Sequence, residues 1–167
     1  MKRLRVLCFD PSGNFKEGSG TTGVAVFSGG ELESFTDIKA AHYGTIEQYW
    51  NAHFQIIKHN NPGIIVCESF RLFEHKAKEQ SWSAMETCQL IGYLRMKAWE
   101  DGIKWFEQDP SVKPRVADHI LERMGVIQKN GSRYTCMGKL TNLHIRDAIR
   151  HGVFFHRFNL KKVIHDE

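Results

Sequence analysis

The chain has 167 residues, 41% of them hydrophobic and 25% charged, with a net charge of +4. That size and balance fit one soluble globular domain spanning 1–167, and no apolar run approaches the roughly 20 residues of a membrane helix. The opening "MKRLRVLCFDPSG" is basic and then apolar, but Asp10 and Pro11 interrupt it too early for a secretory leader, so an intracellular, cytoplasmic location with no membrane contact is expected.

The four cysteines, Cys8, Cys67, Cys88 and Cys136, form no CxxC pair and have no histidine spaced to complete a zinc site. Cys8 and Cys67 lie in strand-like runs, where a free cysteine is a small core residue. Charge is unevenly spread. Between Lys113 and Lys162 stand eleven Lys/Arg against three acids, a local charge of +8, while the rest of the chain carries −4. Such asymmetry fits either a polyanion partner or a solvated basic surface.

In chain order, "RLRVLCFD" (3–10) reads as a strand stopped by Asp-Pro-Ser-Gly. "TGVAVFSGGELESFTDIK" reads as a hairpin around Ser28-Gly29-Gly30. In "GTIEQYWNAHFQIIKHNNPG", Thr45 can cap a helix of about four turns, whose apolar positions follow the 3.6 period up to Asn60-Asn61-Pro62-Gly63. "GIIVCES" (63–69) is a continuous apolar run, the mark of a central strand covered on both faces. After a polar connection (70–81), Ser83 and Glu86 have capping-box spacing ahead of an amphipathic helix ending at Asp101-Gly102. "IKWFEQ" is a further strand, "SVKPRVADHILERMGV" reads as mostly helical with Pro114 in its first turn, "QKNGSRYTCMG" as a loop or turn, and "TNLHIRDAIRH" as the closing helix. The order βββ-α-β-α-β-α-α predicts an α/β fold: an antiparallel hairpin fused to parallel strands in one mixed sheet, with helices on both faces.

In such sheets ligands gather at the carboxyl ends of the strands. Asp10 ends the first strand and Glu68 the buried "GIIVC" run, while His144 and Asp147, three apart, share one face of the closing helix. Each acid alone could be a turn former or a salt-bridge partner. Brought together, three carboxylates and an imidazole would repel one another, and a divalent metal resolves that repulsion. Oxygen-rich sites suit Mg²⁺ or Mn²⁺, and a pair of such ions about 3.5–4 Å apart can activate water and stabilise the leaving oxygen at phosphorus.

"FDPSG…TTGVAVF", "VCESF" and "HIRDAIRH", in this order and spacing, resemble the RuvC-type Holliday junction resolvases of the ribonuclease H-like superfamily, over nearly the whole chain. "ESFRLFEHKAKEQSWSAMETCQLIG" is particularly similar to phage-borne members, which implies a bacterial or phage-infected host cell. The resemblance implies a ribonuclease H-like fold and a metal-dependent endonuclease acting on four-way DNA junctions. It implies that Asp10 bridges two metal ions, that Glu68 binds one and that Asp147 binds the other. His144 stands where many members carry aspartate and some histidine. It is expected to ligate metal or to donate to a phosphate, with a partly exposed surface histidine as the alternative. Lys113 matches a lysine that the family places near the cleaved phosphate, where it could steady transition-state charge; a merely solvated lysine is the alternative.

Arg146 and Arg150 are expected to contact the DNA backbone, and His151 is left without a role. Aromatics among cations suit unstacked bases and phosphates, and the connection after Glu68 interleaves Phe70, Phe73 and Trp82 with Arg71, His75, Lys76 and Lys78. By the resemblance Phe70 or Phe73 probes the junction centre; either could instead be core. A two-fold junction calls for a homodimer, with the helix 83–101 as a face by analogy. The rival readings are a ribonuclease H-like nuclease for flaps, forks or RNA–DNA hybrids, and a non-catalytic branched-DNA-binding protein.

Overall fold

The computed structural model describes residues 3–70 and 85–161. Strand β1 (Arg5–Asp10) is buried from Val6 to Asp10 because it lies at the middle of a five-stranded sheet. The other strands are β2 (Thr21–Ser28), β3 (Glu31–Lys39), β4 (Ile64–Glu68) and β5 (Lys104–Gln108), in the order β3-β2-β1-β4-β5. β1 runs antiparallel to β2 and parallel to β4, and β4 runs parallel to β5. The β2–β3 hairpin closes through Gly29 and Gly30 at φ 60° and 93°, a turn whose twist matches the strands and which glycine adopts without a steric cost.

Alternation along the strands supplies two cores. Leu7, Phe9, Ile65 and Cys67 face helices α1 (Ile46–Asn60) and α2 (Glu86–Glu100), which contribute Tyr49, Ile57, Leu90 and Leu94. Val6, Cys8, Ile64 and Val66 face the opposite layer, where α3 (Asp118–Arg123) contributes Leu121, and α4 (Leu143–Phe154) contributes Ile145, Ala148, Ile149 and Val153. The expected mixed sheet with helices on both faces is what forms. Thr45 caps α1 by accepting from the Gln48 amide, as the spacing predicts. No helix among the described residues is long and apolar enough to cross a membrane.

Three local expectations need adjustment for identifiable reasons. Glu86 was expected as the third position of a capping box; it is instead the first residue of α2, and its carboxylate accepts from the amides of Phe15 and Lys16, pinning the loop after β1. Ser83 lies outside the described residues. The segment 111–126 is mostly helical, as expected, but in two pieces: Pro110–Val116 is a 3₁₀ turn, Ala117 is extended, and α3 follows. Pro114 has no amide hydrogen to donate, so a regular α-helical ladder cannot run through it. The expected loop over 128–138 is ordered as the first two strands of a small antiparallel sheet, β6 (Gln128–Asn130), β7 (Arg133–Cys136) and β8 (Lys139–Thr141). Strands this short and this exposed carry no period-two apolar signal.

A buried polar network lies beneath the turn after β1. His53, fully buried, donates from Nδ1 to the Tyr49 carbonyl (2.7 Å), so its Nε2 accepts from the Thr22 hydroxyl (2.8 Å). Thr22 Oγ1 accepts from the Ser12 amide (3.1 Å), and the Tyr49 hydroxyl donates to the Ser12 carbonyl (2.6 Å). The Thr22 and Tyr49 hydroxyls also lie 3.3 Å apart, which closes the network. Burial lowers the pKa of His53 from 6.5 to about 4, against the opposing pull of the Tyr49 carbonyl. The unfolded chain binds a proton below pH 6.5 and the fold resists it. The contribution of His53 to stability is therefore complete above 6.5 and declines as pH falls toward 4, by about 3 kcal/mol. Urea midpoints at pH 7 and 4.5 should separate more for the wild type than for His53→Gln; equal separations would show that His53 is not responsible.

Candidate active site

Parallel pairing of Phe9 with Cys67 puts the next residues, Asp10 and Glu68, side by side where β1 and β4 end. The third wall is the start of α4. Asn142 caps it, accepting from the Ile145 amide (2.9 Å) while donating to Asp37 of β3 (2.6 Å), so the helix end is tied to the sheet. Gly23, paired with Asp10 across β1 and β2, allows the contact: a Cβ there would lie 1.9 Å from the His144 carbonyl oxygen. At the other end of α4, a Cβ on Gly152 would lie 2.0 Å from the Phe27 ring. The two glycines let α4 lie directly on β2, which brings His144 and Asp147 over the strand ends.

Three of the expected residues, Asp10, Glu68 and Asp147, meet around a fourth, Lys113, and the fifth, His144, joins through Asp10. Lys113, on the 3₁₀ turn after β5, places Nζ 2.7 Å from Glu68 Oε2, 3.0 Å from Asp147 Oδ2 and 3.7 Å from Asp10 Oδ1. His144 Nδ1 lies 2.9 Å from Asp10 Oδ2. Burial raises the pKa of Asp10; the bond from His144 and the charge of Lys113 counter this, and the charges of Glu68 and Asp147 add to it. Burial also pushes Glu68 up, but hydrogen bonds from His151 and Lys113 outweigh it and leave the group below its ordinary value. For Lys113 burial disfavours the charge, yet the surrounding acids hold the ammonium more basic than usual. His144 is raised by its bond to Asp10.

His151, which sequence reasoning left without a role, is fully buried in this cluster. Its Nε2 lies 2.6 Å from Glu68 Oε2 and its Nδ1 2.7 Å from Gln108 Oε1. Gln108 in turn donates to Asn159 (3.3 Å), in the π-helical turn that ends α4. His151 thereby ties one Glu68 oxygen to the side-chain amide of Gln108. The signal was available: 144, 147 and 151 are spaced i, i+3, i+7, and Gln108 ends its strand as Asp10 and Glu68 end theirs.

Arg146 and Arg150 require correction. Both guanidinium groups turn inward, about a tenth exposed. Arg150 bonds Asp147 and Asp118, and Arg146 bonds Asp118 (3.2 Å), donates to the Thr141 carbonyl (3.3 Å) and lies over the Tyr134 ring (4.6 Å). They are scaffold for the cluster here, and the acid that engages both, Asp118, follows the break in the expected helix. Phe70 is half-buried against the α1–α2 core and lines a cavity of about 280 Å³ with Glu68, Thr87, Pro110 and Lys113. Arg71, Phe73, His75, Lys76, Lys78 and Trp82 lie outside the described residues. A larger hollow of about 560 Å³, between the β2–β3 turn and the small sheet, is lined by none of the acid-cluster residues. On α2, Leu90 and Leu94 face inward, Tyr93 stacks on Trp50, and Met96 and Trp99 are exposed.

Three carboxylates and an imidazole from three elements form a hard, oxygen-rich donor set of the type that Mg²⁺ or Mn²⁺ takes. Among the described residues no group of three or more His, Cys, Asp or Glu side chains is arranged to hold a metal ion. The acids close instead around the Lys113 ammonium. The residues fit a divalent ion by chemistry, with that ammonium in its place.

No protein-family model matches the chain, and no curated protein sequence matches it. Among solved structures the chain is similar to T. thermophilus RuvC in complex with a Holliday junction substrate, with a TM-score of 0.63 at 15% identity. The match covers 93% of this chain and 96% of that one. The ribonuclease H-like fold is thereby established.

Replacing Lys113 tests the electrostatics directly. Removing one partner of a fully buried ion pair costs about 3–5 kcal/mol; with Lys113 about a quarter exposed, about 2 kcal/mol is expected, or roughly 4–8 °C for a chain of this length. Lys113→Met should melt lower than the wild type in EDTA at pH 7, and Mg²⁺ or Mn²⁺ should raise its midpoint more. Equal midpoints in EDTA would show that the ammonium is not what holds the acids together.

Proposed function

We propose that the protein is a divalent-metal-dependent endonuclease that hydrolyses phosphodiesters of branched DNA, resolving four-way junctions by paired incisions as a homodimer. The observation that carries this reading is the convergence of Asp10, Glu68 and Asp147 on one cation at the open end of the sheet. The fold shared with a protein seen on a Holliday junction supports branched DNA as the substrate class. The intact donor set favours catalysis over a purely architectural role.

Asp10, Glu68, His144 and Asp147 are the residues that would hold Mg²⁺ or Mn²⁺, two ions per site. Bound there, the ions supply Lewis acidity and an activated water. The chain's own residues do the rest. His151 and Gln108 keep Glu68 pointed at the cluster. Arg150 and Asp118 fix Asp147. His144, nearly half exposed at its side chain, can reach a phosphate oxygen or a metal. Lys113, once released from the acids, can neutralise charge building on the phosphoryl group. Water is the nucleophile, and the products carry a 5′-phosphate and a 3′-hydroxyl. Phe70 stands beside Lys113, and Arg71, Phe73, Lys76 and Lys78, which follow it in the sequence, are the further candidates for DNA contact. The exposed Met96 and Trp99 of α2 offer the apolar surface for a second copy. A phage-borne origin accords with the motif after Glu68.

The deciding experiment offers a labelled four-way junction beside a matched flap, fork, duplex and RNA–DNA hybrid, with Mg²⁺, Mn²⁺ or EDTA. Symmetric nicks on the junction are expected, absent in EDTA and reduced by roughly 10²-fold or more in Asp10→Asn. Preferential cutting of flaps, forks or hybrids would assign a different nuclease class, and tight junction binding without cutting would leave a non-catalytic binder. Nitrogen donors suit Mn²⁺ better than Mg²⁺, so activity should be at least as high with Mn²⁺. His144→Ala should change that ratio; an unchanged metal response would remove His144 from the ligand set.

A further inference from the structure

The cavity of about 280 Å³ beside the acid cluster shares two residues with it, Glu68 and Lys113, whose charged atoms lie 2.7 Å apart. They are the only charges among its described lining residues. Because they compensate one another, the cavity does not call for an anion. Its other walls are apolar and mostly cyclic, from Pro11, Phe70, Ile91 and Pro110, with Ser69 and Thr87 as the polar remainder.

These walls are held in place before any occupant arrives. Pro11 follows Asp10 directly, and the next residue, Ser12, is fixed through both its amide and its carbonyl. The Gly13 amide donates to Thr87 Oγ1 (3.0 Å), and a Cβ on Gly13 would lie 2.2 Å from the Glu86 carbonyl carbon. The loop after β1 therefore lies directly on the first turn of α2. Thr87 and Ile91, four apart, share one face of that helix. Pro110 and Lys113, three apart, share one face of the 3₁₀ turn, whose start Asp109 caps by accepting from the Ser111 amide (2.8 Å). On the remaining side the Ser69 amide donates to the Gln108 carbonyl (2.8 Å), and Phe70 packs on the α1–α2 core. A preformed, concave and largely apolar space with few polar groups is the usual form of a site for a small organic ring.

We propose that this cavity is a base-binding subsite, which receives the base of one nucleotide next to the phosphodiester that is cut. The inference rests on the nuclease reading: with a phosphate held over the acids, the adjoining nucleotide is the part of the substrate nearest the cavity. The volume lies at the small end of the range of roughly 300–1,000 Å³ usual for ligand sites, which suits a single ring system. Phe70 offers a π-face for stacking, and the two prolines and Ile91 enclose the ring. A base can enter only after leaving the duplex stack, a step least costly where it is already unpaired. The subsite therefore favours branch points and unpaired nucleotides over continuous duplex. The acid cluster alone, which meets only phosphate, has no means of making that distinction.

The test uses four-way junctions carrying 2-aminopurine, whose fluorescence is quenched while it is stacked, on one side or the other of the mapped cut. Binding of the wild type in EDTA should raise the emission at one of the two positions and shield it from acrylamide. Ile91→Phe, which narrows the cavity from α2 without touching the acids, should lose that rise. It should also cut the junction roughly tenfold slower or worse, as expected for one lost stacking contact. An abasic nucleotide at the same position should bring variant and wild type to one rate, because no base then needs housing. Equal rates on the intact junction overturn the proposal and leave the nuclease reading standing. So does a deficit that the abasic junction fails to remove, which would mark a general packing defect. A wild type that cuts no branched DNA overturns both. Should Ile91→Phe fail to fold, the wild type decides alone: unchanged emission on the bound junction, or a rise that acrylamide quenches freely, sinks the idea.

Discussion

The Lys113 ammonium is the counter-charge on which the described site depends. Asp10 and Asp147 are almost fully buried and Glu68 largely so, and removing a carboxylate from water costs several kcal/mol even after relaxation. One lysine within 3.7 Å of all three makes their closeness tolerable. The arrangement is asymmetric in strength. Glu68 has two cationic or donor partners at 2.6–2.7 Å and is held ionised, whereas Asp10, with the longest contact to Lys113, is the acid that burial pushes up. A cluster balanced this way has a weak member, and His144 sits on it.

The rest of the fold keeps that cluster from relaxing. The parallel β1–β4 pair fixes the separation of two acids through backbone hydrogen bonds, which no side-chain rotamer can undo. The third acid arrives on a helix seated against β2 through two glycines, with an asparagine cap tied to β3. Beneath the turn after Asp10, the neutral His53 network holds Ser12 by both its amide and its carbonyl. Glu86 holds the continuation of the same loop from the opposite side. Rigidity of this kind is what a site needs if it must keep like charges within a few ångströms before its ligand arrives.

How much of this is legible in the sequence follows from what each residue's signal is. Asp10 and Glu68 can be read because an acid ending an apolar run breaks the pattern, and His144 with Asp147 because a three-residue spacing puts them on one helical face. His151 lies on the same stripe but looks like one more residue of an apolar helix, and its partner Gln108 carries no charge to attract notice. Asp118 is invisible as a functional residue until the helix before it breaks at Pro114 and Ala117. The small sheet eludes reading because three- and four-residue exposed strands bury too little to impose a pattern, although its two-residue glycine turns were in view.

Charge is the clearest case of a correct sum with the wrong distribution. The +8 of residues 113–162 reads as one basic face, yet the fold divides it by function. The cations at i and i+4 on α4, Arg146 and Arg150, look like an exposed stripe, but the same helix carries Asp147 between them, and the chain returns Asp118 to meet both. Their charge is consumed in holding acids in place and is not available to a partner. What remains for solvent is scattered, from Arg115 and Arg123 through Lys129, Arg133 and Lys139 to Arg157 and Lys161. Net charge is therefore only a sum, and the pairing of each cation, which only the fold decides, determines how much of it is left for solvent.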